Sequence, residues 1–347
     1  MKTSLFDFTL PESHIASAPA YPRDSSRMLV VGDALQDKNI GELTDFLRAG
    51  DVLVFNDTKV IPARLLGMRN NARIEILLHK KISANEWQCF AKPAKKLRTH
   101  DMVAFSSDFS AQVQQKYDDG QVLLEFDYPE NIFQQKLEKY GSMPLPPYIE
   151  RNRKADNSDN SNYQTIYARN SGSVAAPTAG LHFTEKLLAA IDAKGVKRVH
   201  ITLHVGGGTF LPVKTDDTSE HKMHSEYAEI SKETAELINA AKKAGRLVIA
   251  VGTTSLRTLE SAADEYGILQ EFAGETDIFI TPGYKFKIVD ALLTNFHLPK
   301  STLFMLVSAL MGLKKMQEAY AHAIKNNYRF YSYGDACLLL GQNNSKA

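Results

Sequence analysis

Three histidines stand where a titrating ring could do chemistry: His182, His204 and His297. His204 ends a stretch, Val199 to Val205, in which apolar residues alternate with His200, Thr202 and His204. That is the period of a strand with one buried and one polar face. Gly206, Gly207, Gly208 and Thr209 follow. Glycine has no Cβ, so its backbone N–H groups can approach a ligand, and the triplet with the Thr209 hydroxyl reads as a cradle for a charged or polar small molecule. For the triplet alone a glycine-rich turn is the alternative; the polar face ending in His204 favours the cradle. His182 lies just ahead of Thr184, a helix N-cap followed by Glu185 and stopped at Gly195. Loop and helix terminus together would hold that ring toward a ligand, although a structural histidine would leave the same trace. His297, Lys300 and Ser301 fall in the polar run Thr294 to Ser301, between a strand exit and a helix. Capping alone would account for Ser301.

Two further stretches have the same form. The apolar run from Gly50 to Phe55 ends in Asn56, Asp57 and Thr58, and ligands in an open α/β sheet collect beyond the carboxyl ends of such strands. A turn capped by Asn and Asp side chains is the competing reading. The strand Arg246 to Val251 runs into Gly252, Thr253, Thr254 and Ser255 at the start of a helix. Unpaired N–H groups and the helix dipole converge there, which suits an anion or a carboxylate, but no lysine follows as in a P-loop. Arg23 and Arg27, in a turn before a strand, either fork onto a carboxylate or phosphate or pair with nearby acids.

The elements that must position these residues are of two kinds. Beyond Val213 helices and strands alternate, with Asp277 to Thr281, Val289 to Leu293 and the aromatic run Tyr328 to Ala336 read as strands. Between Arg64 and Tyr140, short apolar runs recur between polar turns, which predicts a small β-barrel or sandwich. Its loops hold the most basic part of the chain, including Lys80, Lys81, Lys92, Lys95, Lys96 and Arg98. Such a run is by default a solvated loop; a contact surface for a phosphate backbone is the functional alternative. Residues 151–162 carry almost no apolar side chain and read as a mobile loop.

Composition narrows the class. The chain has 347 residues, 44% hydrophobic and 23% charged, values that suit two domains or one large domain with an insertion. Its 41 basic and 40 acidic residues nearly cancel, so net charge does not announce a nucleic-acid partner. The two cysteines, Cys89 and Cys337, stand in no metal-ligand spacing and predict a reducing compartment without disulfides. The amino terminus builds no signal-type apolar core, and the run Thr302 to Gly312 is too short to span a bilayer, so a cytoplasmic protein is expected.

Six separated motifs then combine. They are Phe55 to Arg64, Ala176 to Thr184, His204 to Phe210, Met223 to Tyr227, Gly252 to Arg257 and Asn295 to Pro299. Together, in this order and over nearly the full chain, they resemble the S-adenosylmethionine:tRNA ribosyltransferase-isomerase family of queuosine biosynthesis. The sequence departs from the family pattern at Asn162, where an arginine is expected, and in the Asn/Asp/Ser loop before it.

The resemblance implies a bacterial cytoplasmic enzyme, a monomer, acting on tRNA with a GUN anticodon whose wobble base is already 7-aminomethyl-7-deazaguanine. S-adenosylmethionine would be its co-substrate and ribosyl donor, giving epoxyqueuosine-tRNA with release of adenine and methionine. No prosthetic group or metal is implied. The implied fold is a discontinuous α/β domain, residues 1–62 and 150–347, with an antiparallel β-barrel, residues 63–149, inserted into it. For the chemistry, a base would remove a proton beside the sulfonium and an acid would help adenine leave. His182, His204 and His297 titrate in the right range, and Asp57 and Glu226 are candidates for a carboxylate base or for holding the sulfonium. Gly206, Gly207, Gly208, Thr209, Thr253, Thr254 and Ser255 are expected at the donor, and Arg64, Lys92, Lys95, Lys96 and Arg257 at the tRNA. Two other readings compete: an α/β transferase using a nucleotide-linked donor on a small acceptor, and a non-catalytic RNA-binding protein using the basic barrel.

Overall fold

The computed structural model describes every residue except 119, 147, 150–157, 211, 212, 214 and 342–347, with only the backbone of Thr209 and Phe210. Most of the polar stretch 151–162 therefore lies outside the described residues. In chain order the strands begin with β1 (Arg27–Val31), β2 (Leu35–Asn39), β3 (Val52–Asn56) and β4 (Thr58–Val60). The barrel strands are β5 (Arg64–Arg69), β6 (Ala72–Lys81), β7 (Glu86–Lys92), β8 (Met102–Ser106), β9 (Phe109–Lys116) and β10 (Gln121–Glu125). After these come β11 (Asn170–Ser173), β12 (Lys197–Leu203), β13 (Glu226–Ile230), β14 (Val248–Val251), β15 (Phe272–Thr276), β16 (Ala291–Asn295) and β17 (Ala336–Leu340). The longer helices are α1 (Glu130–Tyr140), α2 (Glu185–Ala193), α3 (Lys232–Lys243), α4 (Thr253–Ala262), α5 (Thr302–Met311) and α6 (Leu313–Lys325).

The large sheet has the order β15-β13-β12-β3-β14-β16-β17-β1-β2. Its centre, β12-β3-β14-β16, is parallel throughout. Parallel strands lie between covering layers, and β3 shows why its run is continuously apolar: Val52 and Val54 enter one core while Leu53 and Phe55 enter the other. Helix α2 starts where Thr184 accepts from Leu187 N at 3.2 Å, and Ser231 and Ser301 cap α3 and α5 in the same way. The apolar run after Thr302 is the buried helix α5.

Residues β5 to β10 form a closed antiparallel barrel. Alternation puts Leu65, Ile74, Ile76, Trp87, Cys89 and Val103 inside it, with α1 packed against the same core through Phe133 and Leu137. Arg64 and Ser142 exchange backbone hydrogen bonds of 3.2 and 2.9 Å, so the segments that begin and follow the barrel pair with each other. The small parallel pair β4–β11 lies between barrel and sheet. The fold is thus mixed α/β with a closed barrel.

Two expected strands are absent. Asp277 to Thr281 follows β15 but makes no ladder, because Ile278 N donates to the Thr276 hydroxyl and Ile278 O accepts from Arg257. The Tyr328 to Ala336 run turns instead of extending: Tyr331 has φ of 74° and Asp335 accepts from Arg329 N, leaving β17 to begin at Ala336.

Candidate active site between the barrel and the sheet

The four parallel strands end along one edge, and each end carries one of the polar groups singled out above: His204 after β12, Asn56 to Thr58 after β3, Gly252 to Ser255 after β14, and Asn295 to His297 after β16. Asn56 is fully buried and joins three of these exits. Its Oδ1 accepts from Leu203 N at 3.0 Å and Thr58 N at 3.1 Å, while Nδ2 donates to Leu203 O at 3.0 Å and Thr254 Oγ1 at 3.3 Å. The neighbouring Asp57 carboxylate accepts from Thr202 Oγ1 at 2.8 Å, Arg169 Nη2 at 2.9 Å and Asn170 Nδ2 at 3.1 Å. These contacts occupy both carboxylate oxygens and tie Asp57 to β12 and to the segment that leads into β11.

His204 is placed differently. Its Nδ1 lies 2.8 Å from the Thr58 hydroxyl, and its ring is nearly parallel to that of Tyr227, at 17° with centroids 6.4 Å apart. Among the described residues Nε2 has no hydrogen-bond partner. Partial burial pulls the pKa below the ordinary histidine value against the smaller opposing influence of Glu229 and Asp57, so at neutral pH the ring is uncharged and able to accept a proton.

His204 borders a cavity of about 450 Å³ between barrel and sheet, within the size range of small-molecule sites. His79, Lys80 and Trp87 come from the barrel side; Gly172, Gly206, Glu226, Tyr227 and Glu275 face them. Lys80 and Glu275 form a 2.9 Å ion pair between the two sides. Behind the wall, Glu226 Oε1 accepts from Gly206 N at 3.2 Å and Oε2 from Arg257 Nη1 at 2.5 Å. Both side chains are 6% exposed. Arg257 therefore lies in the interior, and the expectation that it contacts tRNA is revised: no phosphate backbone reaches a guanidinium enclosed on Glu226.

The glycine triplet also has a different use from the cradle expected. A Cβ on Gly206 would come within 3.0 Å of His79, one on Gly207 within 3.3 Å of Phe90, and one on Gly208 within 2.6 Å of His224. Close approach of the barrel at Gly206 and Gly207, and of His224 at Gly208, is what favours glycine here, and of the three Gly206 borders the cavity. The Thr209 side chain lies outside the described residues. At the α4 terminus Gly252 takes a φ of 88°, and among the described residues no side chain caps the helix. Ser255 Oγ donates back to Val251 O at 2.9 Å, and Thr253 and Ser255 are buried away from the cavity.

At the other end of the same edge the histidines are enclosed. His182 lies between Ser26 Oγ at 2.7 Å from Nδ1 and Asn295 Nδ2 at 3.1 Å from Nε2. Burial, aided by Arg329 and Arg23, lowers its pKa to about 4. His297, 3.2 Å from Thr294 Oγ1, is pushed to about 3 by burial alone. Neither borders the cavity.

On the barrel, Lys92, Lys95 and Lys96 are exposed and make no ion pair among the described residues, whereas Arg64 is 3.5 Å from Glu75. Residues the sequence reading did not assign include Gly172, Tyr227, Glu275 and the Arg169–Asn170 pair around Asp57. Tyr227 lies inside the Met223 to Tyr227 motif, which was a usable signal; Gly172 has none, because its importance depends on a ring distant in sequence.

With this geometry in hand, comparison with known proteins is decisive. Residues 3–339 match the family described as queuosine biosynthesis protein. The chain belongs to this family. It is 57% identical to S-adenosylmethionine:tRNA ribosyltransferase-isomerase of Parvibaculum lavamentivorans, over 98% of this chain and 99% of that one. The protein of the same name from Erythrobacter litoralis is 55% identical over the whole of both chains. Among solved structures, S-adenosylmethionine tRNA ribosyltransferase from Thermotoga maritima is 35% identical with a TM-score of 0.57, covering 97% of this chain and 100% of that one. The motifs that suggested the family thus belong to a likeness that extends from end to end.

Proposed function

We infer that this chain is an S-adenosylmethionine:tRNA ribosyltransferase-isomerase of queuosine biosynthesis and that its reaction takes place in the cavity between barrel and sheet. The observation that carries the activity is the 57% identity over 98% of the chain to a relative of that name. S-adenosylmethionine is the co-substrate and tRNA the acceptor. Residues 63–149 serve as an inserted barrel domain and the remainder as the discontinuous catalytic domain.

His204 is our choice for the base that takes the proton from the ribose carbon beside the sulfonium, since it combines an open ring nitrogen with a neutral ring. Glu226, fixed by Arg257 and Gly206 N, offers negative charge at the wall for the sulfonium. Asp57 acts through Thr202 and Asn170 as a positioning group. Gly206, which borders the cavity, is assigned to the donor's polar ends, and the exposed Lys92, Lys95 and Lys96 to phosphates of tRNA. A GUN anticodon, a monomeric state and a cytoplasmic location complete the reading. Among the described residues no helix is long and apolar enough to cross a membrane.

The test is mass spectrometry of products after mixing the protein with S-adenosylmethionine and tRNA carrying 7-aminomethyl-7-deazaguanine. Adenine and methionine release with a ribosyl-derived mass gain on the wobble base is expected. A methyl gain with S-adenosylhomocysteine would make the protein a methyltransferase, and tight tRNA binding without donor consumption would make it a binding protein.

A further inference from the structure

The backbone around His204 defines how its ring is held. Gly172, on β11, has φ of 150°, a region L side chains rarely adopt. A Cβ built there would lie 2.9 Å from Cε1, 3.0 Å from Nε2 and 3.1 Å from Nδ1 of His204. Three nearly equal distances place that missing atom over the face of the imidazole, not at its edge. The ring therefore lies flat against the β11 backbone, in a space that any side chain at 172 would fill. In the ring plane, Nδ1 meets Thr58 Oγ1 at 2.8 Å, and Thr58 Oγ1 has an onward acceptor in Asn170 O at 3.4 Å. A chain Nδ1–H to Oγ1, then O–H to the carbonyl, satisfies all three groups and polarises in one direction. Thr58 and Asn170 are register partners in the β4–β11 pair, so this chain spans the two strands that flank the ring.

We propose that Thr58 and Gly172 are positioning residues that hold His204 in one tautomer and one orientation, proton on Nδ1 and lone pair of Nε2 open to the cavity. The inference rests on the activity given above and assigns how its base is prepared. In the step it serves, a C–H bond beside the sulfonium breaks, the proton passes to Nε2, and the electron pair stays on carbon next to the positive sulfur. The ring leaves that step as an imidazolium whose Nδ1–H still donates to Thr58. Fixing the second ring nitrogen in this way is a general means of setting which nitrogen reacts.

Two variants and one spectroscopic measurement test this. Thr58→Val keeps the shape and a strand-forming side chain but removes the hydroxyl. It is expected to lower kcat by at least about tenfold, as loss of an orienting partner does, with the KM for S-adenosylmethionine little changed. The acid limb of the pH profile should also shift. NMR of isotope-labelled histidine should show the His204 proton on Nδ1 in the unaltered protein and a mixture of tautomers in Thr58→Val. Gly172→Ala should lower kcat comparably; if it does not fold, as judged by circular dichroism, Thr58→Val decides alone. A proton on Nε2 in the unaltered protein overturns the proposal, and so does a folded Thr58→Val with unchanged kcat and pH profile. Failure of the activity reading is distinct: the unaltered protein would then release no adenine from S-adenosylmethionine with the tRNA substrate.

Discussion

The two ends of the parallel strand edge carry nearly the same chemical types and have opposite fates. At one end, Asn56 terminates β3 and His204 rests on the hydroxyl of Thr58; at the other, Asn295 terminates β16 and His182 rests on the hydroxyl of Ser26. Of the two histidines only His204 borders the cavity against the barrel, and it retains an open nitrogen there. The second has both ring nitrogens engaged and is enclosed. The lesson is that a polar motif at a strand exit marks a place where a site can form, and a second structural body is what turns it into one.

The sharpest way to break this comparison is to remove each histidine. His204→Ala should cut turnover per folded molecule by about 10²- to 10⁴-fold, the range of a general base. His182→Ala should lose stability, because Ser26 and Asn295 lose a buried partner, while turnover per folded molecule stays near normal. Equal turnover losses per folded molecule would abolish the distinction.

Next in size is the ion pair behind the cavity wall. Arg257→Ala removes the guanidinium from the buried Glu226 carboxylate and should cost about 3–5 kcal/mol in denaturant unfolding. A small effect would mean that Glu226 is not enclosed on the open side, and the contrast in burial would fail there.

Acid titration sharpens the closed end. The folded pKa of His182, about 4, lies below that of an unfolded histidine, so the unfolded chain binds the extra proton. Its contribution is fully present above about pH 6.5 and is lost as pH falls toward 4, by ~3 kcal/mol for a shift of this size. His182→Asn should flatten that part of the stability profile and leave the acid limb of turnover in place. The smallest effect is expected on the open side's rim: Lys95→Ala with Lys96→Ala should raise the KM for tRNA a few fold and reduce the salt slope by roughly 0.7–0.9 for each lysine–phosphate pairing removed.

Much of this was legible in the sequence because it depends on local rules. The apolar run of β3, the caps at Thr184 and Ser301, and the short barrel strands follow from periodicity and hydrogen-bonding side chains. All four strand-exit motifs could likewise be read, since polar residues interrupting a buried strand are conspicuous. What could not be read is decided by partners distant in sequence. Arg257 looks like a surface cation until Glu226 is found against it, and the glycine triplet looks like a cradle until His79, Phe90 and His224 fill the space above it. The Tyr328 to Ala336 alternation failed for a related reason, because Asp335 draws the backbone and side chain of Arg329 into a turn.

The short parallel pair β4–β11 has a mechanical consequence. The chain passes from Thr58 through β4 into the barrel, and β11 pairs with β4 from Thr58 to Val60, its register shifting between Ser171 and Ser173 so that Gly172 stands at the irregularity. If tRNA binds the barrel's lysines as proposed above, a torque on the barrel would pass through that two-stranded joint to the two residues proposed to align the His204 ring. Seating of the large substrate and alignment of a single nitrogen would then share one lever.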